Sequence, residues 1–317
     1  GKTYSFDDEA LALYDARPPR HPRTFFEDVL KKLDGLVPGN GSVAERFDRY
    51  RGAFIIPIEK LDAVFQAAIR ECRERTKQTI LLPTEERFTL EYVMNKPWSG
   101  YNWYKGNSVS LIQINTDLPI CIDRVIDLAA HEGYPGHHVY NSLLEASLAK
   151  KRGWVEFTIY ALFSPQSLIA EGTANFGIEV AFPGKERVEF ERTTLFPLAG
   201  LDGSRAEQYY CIHNLTGALN YAHNEAARGY LDGAMTRDQA EEWLVTYALM
   251  SPERAKQRVR FIDVYRSYVI NYNLGQDLVR SYIEARGGTP DNPTKRWEEF
   301  KDLISSPRLP SGLWSSL

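Results

Sequence analysis

A proline and a glycine interrupt a helical run just where its polar side chains are densest: His131-Glu132-Gly133-Tyr134-Pro135-Gly136-His137-His138. Three of the chain's six histidines fall within these eight residues, beside one acid. The pattern is a stretched form of H-E-x-x-H, in which two histidines one helical turn apart hold zinc and the glutamate acts on a water. The position four residues after His131 is Pro135, which offers no ligand atom, and the next histidine comes at His137. An unbroken helix at about 100° per residue turns His137 away from His131 by roughly a third of a turn. Proline removes a helical donor and clashes with the preceding turn, while glycine tolerates unusual backbone angles. Distortions of this kind often sit at functional sites. A bulge absorbing two residues brings His137 back under His131. His138 keeps the facing direction but lies about 10 Å further along the axis. We take His137 as the second ligand and keep His138 as the alternative. The plain reading of the same stretch is a helix end that the histidines merely line.

A third ligand stands some forty residues on, in Ser167-Leu168-Ile169-Ala170-Glu171-Gly172-Thr173-Ala174-Asn175. Zinc sites that cleave amides commonly combine two histidines with a carboxylate and leave the fourth position to water. Glu171 lies inside a mostly apolar helical run, where a carboxylate is costly unless it is paired or bound to a cation. Asn175, one turn further along, and Asp127, one turn before His131, are both placed to accept the free ring N–H of a ligand histidine.

These two segments carry a resemblance. Glu171-Gly172-Thr173-Ala174 resembles the segment that supplies the third ligand in gluzincin metallopeptidases. The stretched histidine motif is similar to that of the bacterial domain-of-unknown-function 885 family, which carries His-Glu-x-x-Pro-Gly-His-His and a later Glu-Gly-Trp. The resemblance implies a mainly α, gluzincin-like helical metallohydrolase fold with a small β-sheet beside the metal helix. It implies one zinc ion on His131, His137 and Glu171, with Glu132 as general base and a peptide or small amide as substrate. The chain departs from the family at Thr173, where tryptophan is usual. It departs again at Ala227 and Leu231, where an aspartate and a histidine are usual, and the later acid of the Glu171 helix is displaced to Glu179 or missing. A non-peptide small-molecule substrate and a catalytically silent binding protein are the competing readings.

Charge and composition narrow the rest. A formal net charge of -4 gives no basis for nucleic-acid binding. No apolar run approaches the roughly 20 residues of a membrane span. Cys72, Cys121 and Cys211 are scattered and odd in number, which suits a reducing compartment. The expected address is therefore the cytoplasm, with an export leader removed ahead of Gly1 as the alternative. The sequence leaves the oligomeric state open.

Read in order, the chain suggests one helical domain over 1–317 with a strand insertion at about 86–116. The segment up to Pro22 reads as an extended arm. Helices are expected over 24–36, after an N-cap at Ser42, and from Leu61 to about Thr79, where apolar residues recur at helical spacing. Strands are expected at 87–93 and 108–115, joined by an aromatic loop at 97–106. Helical spacing returns at 139–151, 154–163 and 166–182, and dominates from 185 onward. Near the end, Tyr265, Tyr268 and Tyr272 share one helix face. In helical gluzincins a late tyrosine commonly reaches the substrate carbonyl, so Tyr272, with Tyr268 next, is the expected oxyanion donor. Arg266 is a candidate grip for a substrate carboxylate. His213 and His223 read as structural.

Overall fold

The computed structural model describes residues 4–314, so both ends of the 1–317 range lie outside the described residues. The fold is mainly α. The chain opens with α1 (Phe6–Tyr14), α2 (Arg23–Asp34), α3 (Val43–Gly52) and α4 (Leu61–Lys77), followed by β1 (Arg87–Val93), β2 (Gly100–Tyr104) and β3 (Val109–Asn115). Next come α5 (Asp123–Leu128), α6 (His137–Leu144), α7 (Pro165–Ala181), and the short α8 (Glu186–Phe190) and α9 (Phe196–Ala199). The helices α10 (Ala206–Thr216), α11 (Ala222–Leu231), α12 (Arg237–Tyr247), α13 (Pro252–Tyr265), α14 (Ile270–Ala285), α15 (Pro293–Ile304) and α16 (Pro310–Trp314) complete it.

The local chemistry explains most of these boundaries. Ser42 caps α3 in a reciprocal capping box with Glu45, and Thr236 caps α12 in the same way with Gln239. Proline opens α7, α13 and α15, where its missing donor costs nothing. The segment before Pro22 is not an extended arm throughout. Ser5 caps α1, three acids fill the first turn, and Phe6, Ala10 and Tyr14 form a buried stripe. That stripe, spaced four residues apart, draws the segment into a helix.

The three-stranded sheet has the order β1-β3-β2. β1 runs parallel to β3, with Arg87 opposite Val109, and β2 runs antiparallel to β3, with Gly100 opposite Ile114. The expected aromatic loop is therefore in part a strand. Tyr101, Trp103 and their neighbours pair along β3, because large aromatic side chains suit a pleated, half-buried surface. Ser110, Ile112 and Ile114 form the buried face of β3, and Phe88 and Ile112 press against Gly133 at the end of the helical run.

The expected helix over 154–163 is absent. Gly153 adopts a left-handed conformation, only Val155–Thr158 make a short 3₁₀ turn, and Trp154, Val155, Ile159, Tyr160 and Phe163 are exposed. With no apolar stripe to bury, the spacing alone does not hold a helix there.

The site is positioned by α7, which is buried on nearly every side. It meets α14 backbone to backbone: a Cβ placed on Gly172 falls 2.4 Å from the carbonyl of Gly275. Either Gly172→Ala or Gly275→Ala is expected to force the two helices apart and cost about 3 kcal/mol or more. Urea unfolding measures this, and an unchanged midpoint would show that the helices do not touch there.

Candidate metal centre

Helix α5 does not bulge and continue. It passes into a wider π-type turn over Ala129–Gly133, where the N–H of Tyr134 donates to the carbonyl of Ala129. The chain then leaves the helix through a cis Tyr134–Pro135 bond and restarts as α6 at His137. The Gly136 N–H donates back to the carbonyl of Ala130 at 2.9 Å. A side chain at position 136 is excluded, because its Cβ would lie 1.9 Å from the His131 carbonyl oxygen. The two expected histidines thus meet across a helix break and not along one distorted helix.

The rings of His131 and His137 lie with centroids 4.6 Å apart and nearly perpendicular. Glu171 reaches them from α7. Its Oε2 is 3.0 Å from His131 Nε2, and its Oε1 is 3.6 Å from His137 Nε2. One ligand atom from each of the three residues lies within 4.8 Å of the others. Donors about 2.0–2.1 Å from a tetrahedral zinc ion stand roughly 3.3 Å apart, and the two measured separations bracket that distance.

The hydrogen bonds around the cluster determine which atoms face its centre. Asn175 donates through Nδ2 to the Tyr272 carbonyl at 2.8 Å, which turns its Oδ1 toward His131 Nδ1, also 2.8 Å away. Nδ1 must then carry the proton, so in the neutral ring Nε2 presents a lone pair to Glu171. Glu171 Oε2 is buried and has no aligned hydrogen-bond donor. A lone pair set against a carboxylate oxygen at 3.0 Å calls for a cation between them. Burial opposes the charged imidazole, but contact with Glu171 and its charge outweigh burial and push His131 up to about 9. Burial also opposes the Glu171 carboxylate, yet the two imidazoles hold it well below its ordinary range. The donor set fits a divalent ion of zinc's preferences.

Glu132 is 5% exposed and pushed up by burial, with the two histidines pulling it down and Glu171 pushing it up further. Its carbonyl accepts from Asn102 Nδ2 at 2.7 Å. Its carboxylate lies against Gly100 of the edge strand, close enough that a Cβ there would be 2.9 Å from Oε1. Tyr268 donates to Glu171 Oε1 at 2.7 Å, so it steadies the ligand carboxylate. The Tyr272 ring lies 6.3 Å from that of His131, and its hydroxyl has no hydrogen-bond partner among the described residues. All of these groups line a cleft of roughly 1590 Å³.

His138, the alternative second ligand, and the candidates Asp127 and Arg266 are all engaged elsewhere. His138 faces away from the cluster, with Nδ1 2.8 Å from Ser110 Oγ and Nε2 3.1 Å from Glu86. As the residue after His137 on the same helix, it points about 100° around the axis. Asp127 pairs with Arg124 at 3.0 Å and Arg187 at 2.9 Å, and leaves the His131 proton to Asn175. Arg266 binds Glu9 at 2.7 Å, an interaction with α1 that sequence spacing does not reveal. Glu179, on the same helix as Glu171, is hydrogen-bonded to Gln276 and paired with Arg280. Sequence reading missed Asn102 and Gly100, which reach Glu132 through a strand that was read as a loop. It also missed Arg258, which nothing in the local sequence distinguishes from other helical arginines.

No family model and no curated protein sequence matches this chain. Among solved structures it is similar to "the putative lipoprotein from Colwellia psychrerythraea", at a TM-score of 0.67 and 17% identity. The match covers 98% of this chain and 54% of that one, so the chain spans about half the length of that structure. At this identity the likeness concerns the fold. Among the described residues, no helix is long and apolar enough to cross a membrane.

His131→Ala, His137→Ala and Glu171→Ala are each expected to abolish stoichiometric metal uptake, measured by elemental analysis after dialysis against zinc. Asn175→Ala is expected to weaken uptake about 10–100-fold, while His138→Ala retains it. Full uptake by the Glu171 variant would remove the carboxylate from the ligand set.

Proposed function

We propose that the protein is a zinc-dependent hydrolase of peptide or amide bonds, built like a gluzincin and related to the domain-of-unknown-function 885 family. The observation that carries this reading is the convergence of two imidazoles and a buried, unsatisfied carboxylate oxygen beside a second buried glutamate on a broad cleft. A metal held by His131, His137 and Glu171 supplies acidification of a water and polarisation of a carbonyl.

The chain's own residues do the rest. Glu132, raised by burial, is suited to take a proton from the attacking water and return it to the leaving amine. Gly100 and Asn102 hold the edge strand against it, and the exposed edge of β2 offers backbone groups to an extended substrate. Tyr272 carries the free phenol on the His131 side and donates to the oxyanion that develops as the carbonyl is attacked. Tyr268 is committed to Glu171 and acts as a positioning residue. A cytoplasmic site of action is part of the same reading, supported by three cysteines that form no disulfide.

Zinc-loaded protein is expected to digest a mixed peptide library, with products read by mass spectrometry. Glu132→Gln retains metal and loses about 10²–10⁴-fold in kcat/KM. Tyr272→Phe loses about 10²–10³-fold in kcat with KM little changed. Metal uptake without cleavage of any peptide or amide would end the hydrolase reading.

A further inference from the structure

Helix α13 presents Arg258 to the wall of the cleft that holds the metal cluster. The neighbouring cations are compensated: Arg124 by Asp127, Arg187 by Asp127 and Glu191, and Arg51 by Asp123. Arg254 donates to the carbonyl of Pro119. Arg258 has neither a carboxylate nor a hydrogen-bond acceptor among the described residues. Its guanidinium rests over the ring of Phe261, 5.1 Å from the centroid. Phe261 in turn lies 6.2 Å from the ring of Tyr272, and Tyr272 lies 6.3 Å from that of His131. The uncompensated cation therefore belongs to the same aromatic group as the tyrosine that flanks the candidate metal cluster.

Its surroundings favour an anion from outside. Burial acts most strongly against the charged guanidinium, the nearby Tyr272 phenol favours it, and the charge of Arg124 acts against it. Arginine stays charged regardless. His223 lines the same cleft, and its Nδ1 is buried without a hydrogen-bond partner. Burial and the charge of Arg258 keep this imidazole neutral, with its pKa pushed down to about 3. A planar fork of donors with no internal partner matches a carboxylate, which it can grip through two parallel hydrogen bonds.

We infer that Arg258 binds the terminal α-carboxylate of the substrate, so that the site removes the last residue of a peptide or of an N-acyl amino acid. This rests on the hydrolase reading above. The water oxygen bonds to the acyl carbon and the last C–N bond breaks. One water proton passes by way of Glu132 to the amine, and a free amino acid leaves.

The test compares N-dansyl-Gly-Phe-Leu as the free acid, the same peptide as its C-terminal amide, and N-dansyl-Gly-Phe-Glu amide, which carries only a side-chain carboxylate. Zinc-loaded wild type, Arg258→Met and Arg258→Lys are assayed, with metal content and circular dichroism confirming folded, loaded protein. Wild type is expected to favour the free acid over both amides by about 10–100-fold in kcat/KM, the loss typical of an unpaired charged group. Arg258→Met brings the acid-to-amide ratio close to one, and Arg258→Lys restores part of it. Calorimetric binding of Gly-Phe-Leu and its amide to zinc-loaded Glu132→Gln, with and without Arg258→Met, reads the same preference without turnover. Equal cleavage of acid and amide, or a preference that survives Arg258→Met, overturns the anchor and leaves the hydrolase reading standing. A preference satisfied equally by the side-chain carboxylate overturns the terminal-residue assignment. If wild type cleaves nothing, the hydrolase reading fails, and equal binding of acid and amide would remove the anchor as well.

Discussion

Everything at the candidate metal cluster depends on the backbone contact between α7 and α14. Gly172 follows the candidate ligand Glu171, and Gly275 lies three residues after Tyr272 on α14. Neither carries a side chain, so the two helices approach until a Cβ on Gly172 would overlap the Gly275 carbonyl. At that distance Asn175 reaches the Tyr272 carbonyl, and Tyr268 reaches Glu171. α7 supplies the carboxylate and the amide, and α14 together with the 3₁₀ turn at Arg266–Val269 just before it supplies the groups that orient both. A wider spacing would leave the Asn175 amide unanchored and the His131 tautomer unspecified.

Two glutamates in the same cleft are driven in opposite directions by what surrounds them. Glu171 faces two imidazoles and a phenol, which overcome burial and favour its charged form. Glu132 faces the glycine of an edge strand and the charge of Glu171, so burial prevails and its proton is held more tightly. One carboxylate is thus suited to hold a cation and the other to exchange a proton. Such a division between like groups is what acid–base chemistry near neutral pH requires.

Much of the site could be read from the chain because its parts are local. The His131–Glu132 pair, the barrier to a helix at Pro135-Gly136, and Glu171 in an apolar run each speak through neighbours a few residues away. The errors came where partners are remote. Asp127 lies one turn from His131 and Asn175 one turn from Glu171, and the arginines on α5 and α8 decided between them by claiming Asp127. Arg266 looked free until α1 placed Glu9 against it. The aromatic stretch at 97–106 lacks clean alternation, and only pairing with β3 makes part of it a strand. The stretch at 154–163 has helical spacing, but most of its apolar side chains are exposed and only Phe157 and Leu162 pack against the core.

The amino-acid sequence alone determined a mainly helical chain, two histidines that no straight helix brings together, and a carboxylate too deep in apolar residues to be idle. These follow from backbone geometry and from the cost of burying charge, which act over a few residues. Tertiary structure decided that His137 and not His138 joins His131. It also decided that Asn175 sets the tautomer, and that Arg258 stands alone on the cleft wall. Those outcomes depend on which helices touch and on which charges are already neutralised by distant partners. A linear pattern carries no record of either.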